Sequence, residues 1–127
     1  MPELPEVAIA RHNLDRWTVG RRIAHVELSD PAAVRTHLAT SPRAAHPGAR
    51  VWALGLVGMR SVEVLRVGKR MGWALSGAAA LLHLGMTGKW VRRGEGEVPR
   101  HGRVGLCLDD GAWIWFVDSR RFGCVVP

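Results

Sequence analysis

The sequence predicts an α+β fold that is mainly β: an antiparallel β-sandwich flanked by two helices. Three observations carry this. Two early segments space their apolar residues as helices do and end at glycines. From Ser61 onward, short apolar or alternating runs follow one another, and Asp109-Asp110-Gly111 stands between two of them as a hairpin turn. At 127 residues the chain has the length of one domain. That is enough to bury about two-thirds of its unfolded surface without disulfides.

In chain order, Val7, Ala10, Leu14 and Trp17 recur at helical spacing, with Pro5 and Glu6 suited to a first turn and Gly20 as the stop. Arg22 to Leu28 alternates imperfectly and reads as a strand. Ser29 to Gly48, with its prolines, alanines and small polar residues, predicts a loop or weakly helical connector and the place where disorder is most expected. A second helix is expected from Pro47, with Val51, Leu54 and Trp52 inward and Gly55 and Gly58 bounding its end. Val57 to Val64 echoes Val19 to Val26, so each helix is expected to feed a strand through the same glycine turn. Strands then follow at Ser61–Arg66, Trp73–Leu75, Ala80–Leu84, Lys89–Val91, Arg103–Leu108 and Trp113–Asp118, and Cys124 to Val126 is strand-like. Trp113, Trp115 and Phe116 suit a sandwich core; a base-stacking platform is the other reading.

Eighteen Lys and Arg against eleven Asp and Glu give a formal charge of +7, which favours a polyanionic partner. Many of the cations, among them Arg66, Lys69, Arg70, Arg103, Arg120 and Arg121, fall in the second half, where a one-sided basic surface could track a phosphate backbone. Cys107 and Cys124 lack metal-ligand spacing, so core packing is expected of them and no metal or other cofactor is expected in this chain. No secretory signal or apolar run of spanning length is present, and the expectation is a soluble, cytoplasmic protein with no membrane partner.

The chemistry begins at Pro2. Removal of Met1 would leave a free secondary amine, and an α-amino group titrates near pH ~7.7–8, so a useful fraction is unprotonated at neutral pH. Attack on an aldehyde-level carbon gives an iminium, which is cationic without further protonation and is an electron sink for elimination next to it. Glu3, adjacent, can carry protons to and from the reacting group. The plainer account is an ordinary start whose prolines shape the entry to a helix. Lys69, after Gly68 and between Arg66 and Arg70, suits phosphate binding as a point charge; it is a weaker candidate for the nucleophile, because an unshifted lysine is almost wholly protonated at pH 7. Met86, in the turn Gly85-Met86-Thr87-Gly88, is a flexible apolar side chain of the kind that fills an opened base stack. A strand histidine such as His83 more simply faces the core or a neighbour.

Met1 to Val7, Arg66-Val67-Gly68-Lys69, His83-Leu84-Gly85-Met86-Thr87-Gly88 and Asp118-Ser119-Arg120-Arg121-Phe122-Gly123 occur in an order and spacing that resemble the N-terminal domain of formamidopyrimidine-DNA glycosylase. The resemblance runs from the first residue to about Gly123, nearly all of this chain but only the first half of a typical member. The resemblance does not extend to the family's helix-two-turn-helix and zinc-finger half, and zinc is expected only there. Leu4 favours the formamidopyrimidine branch over the endonuclease VIII branch, where glycine is usual.

The resemblance implies the β-sandwich fold, DNA base-excision repair, and glycosylase/AP lyase activity on oxidised purines such as 8-oxoguanine and formamidopyrimidines. Residue by residue, it implies Pro2 as Schiff-base nucleophile, Glu3 as proton donor and acceptor, and Lys69 as a contact to the lesion nucleotide and its phosphate. Met86, Arg120 and Phe122 would enter the duplex where the nucleotide leaves, with Arg120 pairing the orphaned base. Arg66, His83 and Arg121 complete the DNA-binding set, and Glu6 supports the site from the first helical turn or serves as a simple helix-start carboxylate. Ser119 departs from the usual proline, and Ala8-Ile9 from the usual polar pair; neither change removes a catalytic group. The expected partner is double-stranded DNA with oxidised purines or abasic sites, bound by a monomer. The alternative is a shortened, non-catalytic binder of damaged or distorted DNA. The end at Pro127, straight after a strand-like run, suggests a piece of a longer protein.

Overall fold

The structure, a computed structural model, describes residues 4–37 and 45–127. Within them lie α1 (Leu4–Thr18), β1 (Ile23–Leu28), a 3₁₀ turn (Pro31–Ala33), α2 (Ala49–Gly55), β2 (Ser61–Val67), β3 (Arg70–Leu75), β4 (Ala79–His83), β5 (Lys89–Arg93), β6 (Gly102–Leu108), β7 (Trp113–Val117) and β8 (Cys124–Val126). The strands form two four-stranded antiparallel sheets, β1-β6-β7-β5 and β2-β3-β4-β8. This is the expected sandwich, and every strand expected from the sequence is present.

Alternation puts Val64, Met71, Trp73 and Leu82 of one sheet against Val104, Leu106, Ile114 and Phe116 of the other in a single buried cluster. Trp90 stands edge-on to Trp73, ring centres 5.8 Å apart, and tilts over Phe116 at 5.3 Å. Each such side chain contributes roughly 1.5–3 kcal/mol by leaving water. Phe116 joins the sandwich core, whereas Trp113 and Trp115 point to the other face of β7, where Trp115 is buried against Gly102 and Gly105 and Trp113 stacks on it at 5.9 Å. Cys107 and Cys124 are buried and form no disulfide, in keeping with the packing role expected of them.

α1 closes the side of the sandwich bounded by the edge strands β2 and β5, with Val7 and Leu14 fully buried. Its polar side chains orient it. The Thr18 hydroxyl donates to the Leu14 carbonyl (2.7 Å), which leaves Ser61 to donate to Thr18 (3.0 Å), while Ser61 accepts from the Trp73 indole (2.7 Å). Farther back, Asp15 accepts from the Val64 amide and Arg11 donates to the Val64 carbonyl. Helix and strand therefore run in opposite directions, and the start of α1 lies toward the Val67 end of β2.

The repeated glycine turns are cross-bonded to each other. Gly20 and Gly58 have φ +82° and +90°, a region an L side chain rarely adopts. The Gly20 amide donates to the Ser61 carbonyl (2.8 Å), and the Gly58 amide to that of Ile23 (2.7 Å).

Two expectations need correction. In α2, Val51 and Leu54 are 78 % and 66 % exposed, and the inward residues are Ala49 and Ala53 with Trp52 half-buried beside them. The close approach of β1 and the 3₁₀ turn admits only small side chains along most of that face. The connector is also more ordered at its start than expected. Asp30 caps the 3₁₀ turn, Val34 bridges Val125, and Val34 and Arg35 are buried. Residues 38–44 lie outside the described set. Among the described residues no helix is long and apolar enough to cross a membrane.

Candidate functional site

Strand register gathers the motifs at one end of the sandwich. Val67 pairs with Arg70, so Gly68 and Lys69 are the tip of the β2–β3 hairpin. Met71 pairs with Leu82 and His83 with Cys124, which brings the β4–β5 loop (84–88) and the β7–β8 loop (118–123) to that same end. The start of α1 completes the group. Between α1 and the β4–β5 loop opens a cleft of about 380 Å³ lined by Glu6, Ile9, Asn13, Met86, Thr87 and Trp90 among others. Pro2 and Glu3 precede that helix and lie outside the described residues.

The two loops interlock. Asp118 is fully buried: one carboxylate oxygen accepts from the Thr87 hydroxyl (2.6 Å) and the Arg120 amide (3.3 Å), and the other from the Gly123 amide (2.6 Å). A carboxylate so far from water is tolerable only when its lone pairs are filled in this way. The backbones approach closely enough to require glycine. A Cβ on Gly85 would fall 2.5 Å from the Gly123 nitrogen, and one on Gly123 would fall 2.6 Å from the Phe116 ring. Ser119, in place of the usual proline, directs its hydroxyl at Thr87 (3.4 Å) and so remains part of the junction.

On this locked base, Met86 is 56 % exposed and Arg120 is exposed, its guanidinium 5.4 Å from the centre of the half-buried Phe122 ring. An apolar wedge and a cation-bearing aromatic thus project from adjacent turns. Arg121 differs from Arg120: it sits at φ +60° and its guanidinium forks onto Asp30 (2.8 and 3.2 Å). Of the expected DNA-binding cations, it is therefore held by an internal partner.

Lys69 is exposed at the hairpin tip, where Gly68 turns at φ +62° and Arg66 donates to the Gly68 carbonyl (2.8 Å). Arg66 therefore braces the turn that presents Lys69. His83 is half-buried and its Nδ1 accepts from the Gly85 amide (3.1 Å), so it faces a neighbour. Burial, and then the positive charges of Arg70 and Arg35, hold its pKa below the usual histidine value. The neutral ring with its proton on Nε2 suits that acceptor role. Glu6 is exposed at the start of α1, where its charge complements the helix dipole. Among the described residues no group of three His, Cys, Asp or Glu side chains is arranged to hold a metal ion.

Sequence reasoning did not single out the residues that hold the site: Asp30, Arg35, Thr87 and Asp118. The Asp118 and Thr87 positions lay inside the quoted motifs, but the bond between them crosses 31 residues. Asp30 and Arg35 lay in a segment read as a loose connector.

The chain was compared with known proteins. The family model described as formamidopyrimidine-DNA glycosylase N-terminal domain matches residues 1–125. A formamidopyrimidine-DNA glycosylase of Salinispora arenicola is 43% identical over 97% of this chain and 41% of that protein. One from Acidothermus cellulolyticus is 41% identical over 97% of this chain and 42% of that protein. Among solved structures, the Lactococcus lactis Fpg in complex with abasic-site-containing DNA aligns with a TM-score of 0.81 at 25% identity, over 98% of this chain and 43% of that one. MutM in complex with carbocyclic 8-oxo-G containing DNA aligns at 0.80 and 26% identity, over 98% of this chain and 43% of that one. The chain thus spans less than half the length of the relatives it matches.

Proposed function

Since this chain belongs to the family of formamidopyrimidine-DNA glycosylase N-terminal domains, we propose that it is the catalytic domain of a bifunctional DNA glycosylase/AP lyase that removes oxidised purines from double-stranded DNA. The partner is duplex DNA carrying 8-oxoguanine, formamidopyrimidines or abasic sites, engaged by one copy of the chain. The observation that carries the reading is the convergence, at one end of the sandwich, of the start of α1 with Met86, Arg120 and Phe122 on two interlocked loops.

The chemistry needs that convergence. C1′ of a deoxynucleotide is inaccessible in the stack, so the nucleotide must leave it and the gap must be filled. Met86 and Phe122 supply apolar area for the gap, and Arg120 supplies a fork of donors for the orphaned base. Freed of Met1, the Pro2 nitrogen attacks C1′ as the C1′–base bond breaks. The base takes a proton, the amine gives up its own, and the sugar opens to an iminium. Loss of a C2′ proton then expels the 3′ phosphate, and a second elimination expels the 5′ phosphate. Glu3 moves the protons, and water returns the free amine. Lys69, exposed at its hairpin tip, binds the phosphate beside the lesion.

Borohydride trapping on an abasic-site duplex tests this. Processed protein is expected to form a covalent adduct that Pro2→Gly weakens and that Lys69→Ala affects mainly through binding. Undiminished trapping after chemical blocking of the N-terminal amine overturns the assignment of Pro2. Gap-specific binding with no adduct makes the chain a non-catalytic binder of distorted DNA.

A further inference from the structure

Arg35 is a charged side chain with only 1 % of its surface exposed, in a connector that contributes no residue to the proposed chemistry. A guanidinium there must have its donors filled, and the partners it takes are informative. Nε donates to the Ala32 carbonyl at 3.0 Å, Nη2 to the Arg121 carbonyl at 2.5 Å and Nη1 to the Phe122 carbonyl at 3.4 Å. The Arg35 amide also donates to the Val125 carbonyl at 2.9 Å. One planar fork therefore ties the connector to the two residues that follow Arg120.

Asp30 grips the same loop from the same segment. Its carboxylate takes the Arg121 fork, lies 3.9 Å from Arg103 Nη1, and caps the 3₁₀ turn through the Ala32 amide (3.1 Å). Arg103 in turn donates to the Asp118 carbonyl at 3.0 Å. The grip has something to hold against: Arg121 is a non-glycine residue at φ +60°, a conformation that costs about 1–2 kcal/mol and persists only where surrounding contacts impose it. Released, the loop would relax there, and Arg120 and Phe122 on either side would lose their mutual geometry.

We propose that Arg35 and Asp30 form a positioning clamp that fixes the β7–β8 loop in the conformation that presents Arg120 and Phe122 to DNA, with Arg121 serving as the handle of the clamp and not as a DNA contact. This rests on the reading of Arg120 and Phe122 as the inserting residues, and adds that their competence is set by a segment 80-odd residues earlier in the chain. Lysine cannot replace Arg35, because a point charge cannot span three carbonyls in one plane.

The test has two arms on the full chain. The first, without DNA, measures amide hydrogen exchange in Arg35→Lys, Arg35→Met and Asp30→Asn. Exchange at 119–123 is expected to rise about tenfold or more as charge-assisted bonds are lost, with the β6 and β7 amides unchanged. The second titrates duplexes bearing an abasic site opposite cytosine or adenine, with Arg120→Ala as reference. Each clamp variant is expected to lose opposite-base preference to the level of Arg120→Ala, the Arg35 variants while keeping the wild-type dependence of affinity on salt. Asp30→Asn keeps the test open if the Arg35 variants do not fold. Unchanged exchange at 119–123, or faster exchange with the preference intact, overturns the clamp. If Arg120→Ala itself retains the preference, the insertion reading fails, and the exchange arm alone decides the clamp.

Discussion

The Thr87 hydroxyl donates to the buried Asp118 carboxylate at 2.6 Å, and through that bond the β4–β5 and β7–β8 loops share one anchor. Removing either partner takes a short hydrogen bond from the other, so the two substitutions should not add. Thr87→Val is expected to cost about 1–2 kcal/mol of unfolding free energy and Asp118→Asn about 2–3, with the double variant less destabilised than the sum. Denaturant unfolding of the four proteins checks it; strict additivity would mean that the loops are held independently.

Gly85 combines φ +63° with a neighbouring backbone 2.5 Å from where a Cβ would stand. Gly85→Ala is expected to destabilise by about 2 kcal/mol or more and to loosen both loops. Gly96, also at positive φ but with open space around it, is the control: Gly96→Ala should cost only the backbone penalty of about 1–2 kcal/mol.

His83 has a pKa lowered by burial and by Arg70 and Arg35, and it accepts a hydrogen bond through Nδ1. Below the ordinary value near 6.5 the unfolded chain binds a proton that the folded chain resists, so the unfolded state holds more protons and stability rises with pH in that window. The contribution of His83 is complete above pH ~6.5 and is lost as pH falls toward its folded pKa. In His83→Asn, whose amide oxygen can still accept from Gly85, the loss of stability between pH 7 and pH 5 should be smaller than in the wild type. Parallel slopes in the two proteins would remove His83 from the acid response.

Glu3 handles protons in the proposed reaction, and base release needs one that lyase action on a preformed abasic site does not. Glu3→Gln is expected to lower excision of a damaged base about 100-fold or more and the abasic-site reaction far less. Equal losses in both assays would make Glu3 a structural residue.

Lys69 is exposed at a hairpin tip, whereas Arg121 is ion-paired with Asp30 at 2.8 Å. Only a free cation releases a counterion on binding phosphate. Lys69→Ala should therefore reduce the slope of log K against log salt by about 0.9, and Arg121→Gln should leave it nearly unchanged. Titrations of an abasic-site duplex at several salt concentrations measure both slopes, and a comparable fall for Arg121→Gln would return it to the DNA-binding set.

Short-range physics made much of this protein legible in its sequence. The apolar spacing of Val7, Ala10, Leu14 and Trp17 identified α1, and short apolar or alternating runs bounded by turn residues identified the strands, because each element must bury a face. The paired glycine turns and the Asp109-Asp110-Gly111 hairpin were readable because only glycine enters positive φ cheaply. The motif residues Lys69, Met86, Arg120 and Phe122 were likewise visible as residue types.

What periodicity could not supply was the identity of neighbours across the fold. Val51 and Leu54 face outward because β1 leaves room along α2 mainly for alanines, a fact about helix–strand spacing that no local pattern encodes. The connector's composition suggested a loose loop, yet Asp30, Val34 and Arg35 are fixed by partners 86 to 91 residues away in the case of the two charged side chains. Only the tertiary structure decided that Asp118 joins two loops, that Arg121 pairs with Asp30 while Arg120 stays exposed over the Phe122 ring, and that a buried guanidinium supports the loop they share. Each depends on long-range hydrogen bonds whose strength comes from exclusion of water, and that exclusion exists only once the two sheets have closed on each other.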